Sequence, residues 1–164
     1  EGSNMADVSL DHFIDAQNTN LEAAVSELTA GQKTSHWIWY IFPQIAQLGY
    51  SERAKYYGIK THKEAKAFIA HPMLAANYNR CLDALLLHTG TPIMTIMGVI
   101  DASKLNSSLT LFKGVSDDPA LQQKISNTLS CFFDGSECDK TTAFLSTRST
   151  LGFKLGFRPR LNAS

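Results

Sequence analysis

The apolar residues of this chain recur at helical spacing along almost its whole length. The clearest run extends from Pro72 to His88 and has a period of about 3.6 residues, carried by Leu74, Tyr78, Cys81, Leu82, Leu85 and Leu86. No alternation of apolar and polar residues extends far enough to predict a β-strand. The pattern therefore predicts an all-α protein: a single compact domain of about seven to nine short helices around a central helix near residues 72–88.

Capping residues divide this pattern into segments. Ser9 and Asn20 predict two successive helices before Gly31, and Thr61 and Glu64 form the capping box of another. A helix is also expected from Ser51 to about Gly58. Later helices are expected to begin at Thr91-Pro92, Asp101, Asp118-Pro119 and Asp139, and the last to end near Ser146.

The 164 residues suit one domain, which we place at residues 5–150. Residues 1–4 precede Met5 and are interpreted as the remnant of an expression tag. Residues 151–164 combine Gly, Pro and basic residues, and we expect them to form a basic, loosely ordered tail.

The formal net charge is zero, so neither nucleic acid nor an anionic membrane is an expected partner. The distribution is uneven: residues 7–27 carry only acidic charges, whereas residues 33–66 carry six basic residues against two acidic ones. Such segments are either solvated faces or, in the second case, a basic rim that attracts a phosphate or a carboxylate.

Other composition features narrow the class further. No apolar run reaches about 18 residues, so no transmembrane helix is expected, and no signal peptide is visible. The cysteines Cys81, Cys131 and Cys138 are odd in number and lack Cys-x-x-Cys spacing. This argues against a disulfide framework or a zinc site and favours a reducing, cytoplasmic location. No metal-ligand spacing or phosphate-binding glycine loop predicts a cofactor.

The segment from Ser35 to Gln44 is the most distinctive part of the sequence. It holds both tryptophans, Trp37 and Trp39, and polar residues, including His36, bracket it. Aromatic rings beside hydrogen-bonding groups suit a pocket that stacks a flat ligand and binds its edge, although a folding core remains the alternative. Residues i and i+2 of a helix diverge by about 200°, so one tryptophan is expected to line the pocket and the other to enter the core.

A second polar group lies on the helix after Asp101. Lys104, Ser107 and Ser108 share one stripe, and Thr110 is close in sequence. The stripe is either an anion-binding group or a solvated face. Its order is the reverse of Ser-x-x-Lys, and no Gly-x-Ser-x-Gly elbow is present, so serine nucleophile chemistry is not expected.

These segments together resemble domain-of-unknown-function family 1810. The resemblance covers about residues 9–146, and its most specific motifs are Ser35 to Gln44 and Lys104 to Phe112. Further matches are Phe13 to Gln17, Leu48 to Ser51, Glu64-Ala65 and His71 to Leu74. The resemblance to this family implies an all-helical single domain whose function is unassigned.

Two functions are consistent with these residues. The first is binding of a small nucleotide-like or anionic ligand by residues Ser35, Trp37, Trp39, Gln44, Ser107, Ser108 and Thr110. The size and helical layout of the chain are analogous to those of the N-glycosidases that process ADP-ribose derivatives. The ligand-binding function therefore extends to an N-glycosidase-type hydrolase of ADP-ribose derivatives. Asp101 or Glu64 would then stabilise the oxocarbenium-like state, and His36 or Lys104 would protonate the leaving base.

The second function is a non-catalytic helical module that binds a protein or a peptide. Convergence of His36, Gln44 and Lys104 on one concavity would favour the first function. Burial of both tryptophans, with His36 bonded only to backbone, would favour the second. The sequence leaves catalysis and oligomeric state open.

Overall fold

The structure, a computed structural model, describes residues 8–156, and describes side chains for residues 8–147. This part of the chain contains nine α-helices, a 3-10 helix at Ala46–Leu48 and no β-strand, which confirms the all-α prediction. The helices are α1 (Asp11–Ala30), α2 (Ile38–Ile41), α3 (Glu52–Tyr57), α4 (His62–Ala70), α5 (Pro72–Leu86), α6 (Ile93–Met97), α7 (Val99–Val115), α8 (Pro119–Phe133) and α9 (Asp139–Gly156).

The predicted division of the first segment into two helices is wrong. Asn20 lies inside α1, where its side-chain amide donates to the carbonyl of Ala16 at 3.0 Å instead of capping a new helix. The buried face of Phe13, Ala24 and Leu28 runs through this point, so one helix buries the whole segment. Gly31 ends α1 with a φ of 79°, as predicted.

The predicted caps in the middle of the chain are confirmed. The hydroxyls of Ser51 and Thr61 accept the N–H groups of Ala54 and Glu64 at the starts of α3 and α4. The Glu64 carboxylate departs from the capping-box pattern, since it accepts the N–H of Lys60 rather than that of Thr61.

The start of α7 corrects a second prediction. The helix begins at Val99, with Gly98 as its N-cap at a φ of 85°, and Asp101 lies within the first turn instead of capping it. Asp118 does cap α8, as expected. The last helix continues past Ser146 to Gly156, into the segment predicted as tail; residues 1–4 and 157–164 lie outside the described residues.

Two helices occupy the centre of the fold. Helix α5, the predicted central helix, contacts α1, α4 and α8. Helix α7 contacts α2, α4, α6, α8 and α9, and it is buried around most of its circumference. Helix α7 is therefore a second central element beside α5, and its polar residues face neighbouring helices as well as solvent.

No helix in the described part of the chain is both long and apolar enough to cross a membrane.

Candidate functional site

Ser35 and Trp37 are held by a carboxylate that the sequence analysis did not single out. Oε1 of Glu27 accepts the backbone N–H groups of Thr34 at 2.8 Å and Ser35 at 2.9 Å, and the indole N–H of Trp37 at 2.9 Å. Burial would raise the Glu27 pKa, but the hydrogen bonds from Ser35, Thr34 and Trp37 outweigh it and lower the pKa to about 2. These residues therefore fix the loop between α1 and α2.

Asp101 forms an ion pair with Lys33 in the same region. Their charged atoms are 2.7 Å apart, and the Lys33 side chain is only 4% exposed. The Lys33 ammonium also donates to the Ser35 carbonyl and lies 4.6 Å from the centre of the Trp37 ring. The carboxylate predicted to act in catalysis is thus engaged in holding the same loop.

His36 and Gln44 have different surroundings. His36 is exposed and makes no hydrogen bond within the described residues. Gln44 is almost buried; its carbonyl accepts the N–H of Ile59 at 2.9 Å, while its side-chain amide bonds to no described residue. No hydrogen bond or ring contact in the described part joins either one to Lys104.

The predicted stripe of Lys104, Ser107 and Ser108, with Thr110 close to it, is not a solvated face, because both serines and Thr110 are buried and only Lys104 is partly exposed. Ser108 lies in the core, with its hydroxyl 2.9 Å from that of Tyr78. Ser107 and Thr110 face the start of α9 instead. This correction follows from the position of α7, which is covered on nearly all sides.

The partner of Ser107 and Thr110 is Cys138. The Thr110 hydroxyl accepts the Cys138 N–H at 3.0 Å. Burial would raise the pKa of the Cys138 thiol, but hydrogen bonds from Ser107, Thr141 and the Lys140 N–H lower it. No local sequence pattern predicts this contact, because the two segments are about thirty residues apart.

Trp39 and Lys104 do meet, and Arg53 joins them. The Lys104 ammonium lies 5.5 Å, and the Arg53 guanidinium carbon 5.1 Å, from the centre of the Trp39 ring. Neither cation forms an ion pair or a hydrogen bond with a described residue. We call these three residues the Trp39 site.

The Trp39 site has a further unusual feature. The indole N–H of Trp39 is buried and lacks an acceptor within the described residues. A buried donor without a partner costs about 1–3 kcal/mol, so such atoms are rare in folded proteins. Trp37, the N-cap residue of α2, is fully buried, whereas Trp39 is half-buried.

Two tyrosines complete the surroundings of Arg53. The rings of Tyr40 and Tyr57 are 5.2 Å apart, and burial raises both of their pKa values. Both hydroxyls are thus neutral at physiological pH, so neither provides a negative charge opposite Arg53. In the sequence, only the excess of basic residues over 33–66 indicated that Arg53 could belong to a binding site.

A separate cleft of about 680 Å³ opens beside α3. Its lining includes Asp11, His12, Asp15, Glu52 and Tyr56. Burial lowers the pKa of His12, which stacks on Tyr57. No group of three or more His, Cys, Asp or Glu residues in the described part is arranged to hold a metal ion.

The fold and these sites define a single all-helical domain with a cationic, tryptophan-centred surface site. The chain belongs to the family described as "Protein of unknown function (DUF1810)", whose model matches residues 7–145. Its fold is similar to the crystal structure of the conserved hypothetical protein Rv1873 from Mycobacterium tuberculosis. The two are 36% identical with a TM-score of 0.79, over 84% of this chain and 96% of that one.

No curated protein matches this chain. The resemblance inferred from the Ser35–Gln44 and Lys104–Phe112 motifs is confirmed.

Proposed function

We propose that the protein binds a small anionic ligand at the Trp39 site. The observation that carries this proposal is the pair of cations, Arg53 and Lys104, gathered on one tryptophan ring without a carboxylate partner among the described residues. By contrast, the buried ammonium of Lys33 near the aromatic segment is paired with Asp101.

The energetics favour an anion at this position. A cation–π contact contributes about 0.5–2 kcal/mol, but it does not neutralise the charge. The two cations also repel each other, and a bound anion would turn this repulsion into attraction for both. Arg53 can bind a phosphate or carboxylate through two parallel hydrogen bonds, and Lys104 through a single point charge.

The Trp39 site is better suited to bind the anionic group of the predicted ligand than to stack on its flat base. Arg53 and Lys104 lie over the Trp39 ring, so the surface they cover is not free to stack on a base. A nucleotide-like ligand would therefore be held by its phosphate, with its base directed elsewhere.

We propose binding without turnover. The hydrolase mechanism considered above needs a carboxylate, Asp101 or Glu64, beside the bond to be cleaved. Asp101 is neutralised by Lys33, and Glu64 accepts the Lys60 N–H at the start of α4. Neither carboxylate contacts the Trp39 site.

Isothermal titration calorimetry tests the proposal with inorganic phosphate, pyrophosphate, AMP and ADP-ribose. The variants are Arg53→Gln and Lys104→Gln, and the matched control is Lys66→Gln, which removes the charge of an exposed lysine on α4. We expect at least one probe to bind, the site variants to weaken it by about tenfold or more, and Lys66→Gln to match the wild type.

Absence of binding by all four probes, or equal weakening by Lys66→Gln, would overturn the proposal. It would favour the second function, a protein-binding or peptide-binding module. That function has its own support in three exposed apolar side chains around Gly98, namely Met94 (60%), Val99 (67%) and Ile100 (71%).

A further inference from the structure

We propose that the Trp39 site selects a dianion, and that its ligand therefore carries a terminal phosphate monoester rather than a phosphodiester. This inference rests on the proposed function and specifies the ligand class. It derives from the number of unpaired charges at the site and from the neutrality of the groups around them.

The charge count at the site is two. Arg53 and Lys104 both lie within about 5.5 Å of the same ring centre, and the proposal places one phosphate-containing ligand in contact with both. Lys104 is partly buried, which makes solvent a weaker substitute for a counter-ion than it is on an open surface.

The neighbouring titratable groups leave that count unchanged. Tyr40 and Tyr57 face Arg53 and are neutral, because burial raises their pKa values. Asp101, one turn from Lys104 on α7, is occupied by Lys33. Two groups on α1 lie near Tyr57. Asp15 is exposed, and its negative charge raises the Tyr57 pKa further. His12 stacks on the Tyr57 ring, and burial lowers the His12 pKa.

A ligand of charge two would neutralise both cations, whereas a singly charged ligand would leave one without a partner. A phosphate monoester carries about −1.5 to −2 charges near pH 7, because its second pKa is about 6. A phosphodiester carries one negative charge per phosphate. The three oxygens of the monoester also provide acceptors for both cations at once.

The test compares AMP with 3′,5′-cyclic AMP, which share base and sugar but differ in phosphate charge. Titration at about pH 7.5 is expected to show AMP binding about tenfold tighter or more. The Arg53→Gln and Lys104→Gln variants should each abolish this preference, and Lys66→Gln should retain it.

A pH comparison provides the second measurement. Between about pH 7.5 and pH 5, inorganic phosphate becomes a monoanion while sulfate remains a dianion. We expect phosphate to lose affinity over this range and sulfate to keep it. Protonation of His12 would raise the affinity for both anions together. The ratio of the phosphate affinity to the sulfate affinity therefore isolates the effect of ligand charge.

The outcomes separate the two proposals. Equal affinity for AMP and cyclic AMP, or a phosphate-to-sulfate ratio that does not change with pH, would overturn dianion selection while leaving anion binding intact. Failure of AMP, cyclic AMP, phosphate and sulfate to bind would overturn both.

Discussion

The indole N–H of Trp37 donates to Oε1 of Glu27 at 2.9 Å, and the same oxygen accepts the backbone N–H groups of Thr34 and Ser35. One carboxylate on α1 thereby fixes the loop that leads into the aromatic segment. Hydrogen bonds to a charged acceptor are stronger than those to a neutral one, so the ionised state of Glu27 contributes to folding.

Glu27→Gln should lower the free energy of unfolding by about 1–3 kcal/mol near neutral pH, because three donors lose a charged acceptor. The Glu27 pKa falls from 4.5 in the unfolded chain to about 2 in the folded protein. Its contribution is therefore complete above the higher value and is lost as the pH falls through the lower one.

Urea unfolding at a series of pH values measures this effect. The gap between wild type and Glu27→Gln should narrow between about pH 5 and pH 2. Glu22→Gln, on the exposed side of the same helix, removes only a surface ion pair with Arg80 and serves as the control. If the stability difference between wild type and Glu27→Gln stays constant with pH, the stabilising role of the ionised Glu27 carboxylate is contradicted.

Asp101→Asn should destabilise the protein while leaving anion binding intact. The substitution leaves the Lys33 ammonium without its partner in a position where only 4% of the side chain is exposed. Loss of one partner of a buried pair costs about 3–5 kcal/mol, and the partial exposure of Asp101 places this case at about 2–3 kcal/mol. Thermal unfolding measures the loss; loss of phosphate binding by the folded variant would instead favour a role for Asp101 in the site.

Tyr78→Phe and Ser108→Ala should be strongly coupled. Their hydroxyls are 2.9 Å apart and fully buried, so each single substitution leaves one polar group unpaired, at a cost of about 1–3 kcal/mol. The double variant removes both groups and should be less unstable than the two single effects predict together. Additive effects in a double-mutant cycle would show that the hydroxyls do not depend on each other.

Cys138 should be a more reactive thiol than Cys81. Hydrogen bonds from Ser107 and Thr141 lower its pKa in spite of burial, whereas burial raises the pKa of Cys81 to about 12. Alkylation by iodoacetamide, followed by mass spectrometry over a pH series, should label Cys138 at a lower pH than an ordinary thiol and leave Cys81 unlabelled in the folded protein. The Thr141 hydroxyl donates to the Cys138 sulfur at 3.2 Å, so Thr141→Val should move the Cys138 profile to higher pH, and an unchanged profile would contradict this mechanism.

Local sequence signals predicted the caps and the helical class well. Ser51, Thr61, Asp118 and Gly31 act within a few residues of their own positions, so their roles depend on short-range geometry. Asn20 was misinterpreted because its side chain can bond to the preceding turn as readily as it can cap a new helix.

The site was harder to predict, because it depends on which helices meet. The contact of Trp39 with Lys104 follows from the packing of α2 on α7, and the Arg53 contact follows from the position of α3. Ser107 and Ser108 are adjacent in sequence, yet one faces Cys138 and the other Tyr78. No periodicity shows that α7 is covered on both of those sides.

The loop between α1 and α2 has a consequence for the dynamics of the protein. Each of the five consecutive backbone N–H groups from residue 31 to residue 35 donates to an acceptor within the protein, although none belongs to a helix. Amide hydrogens of a surface loop usually exchange rapidly with solvent. Those of residues 31–35 should exchange at the slow rate of the helices on either side, so that this loop opens only when the surrounding core opens.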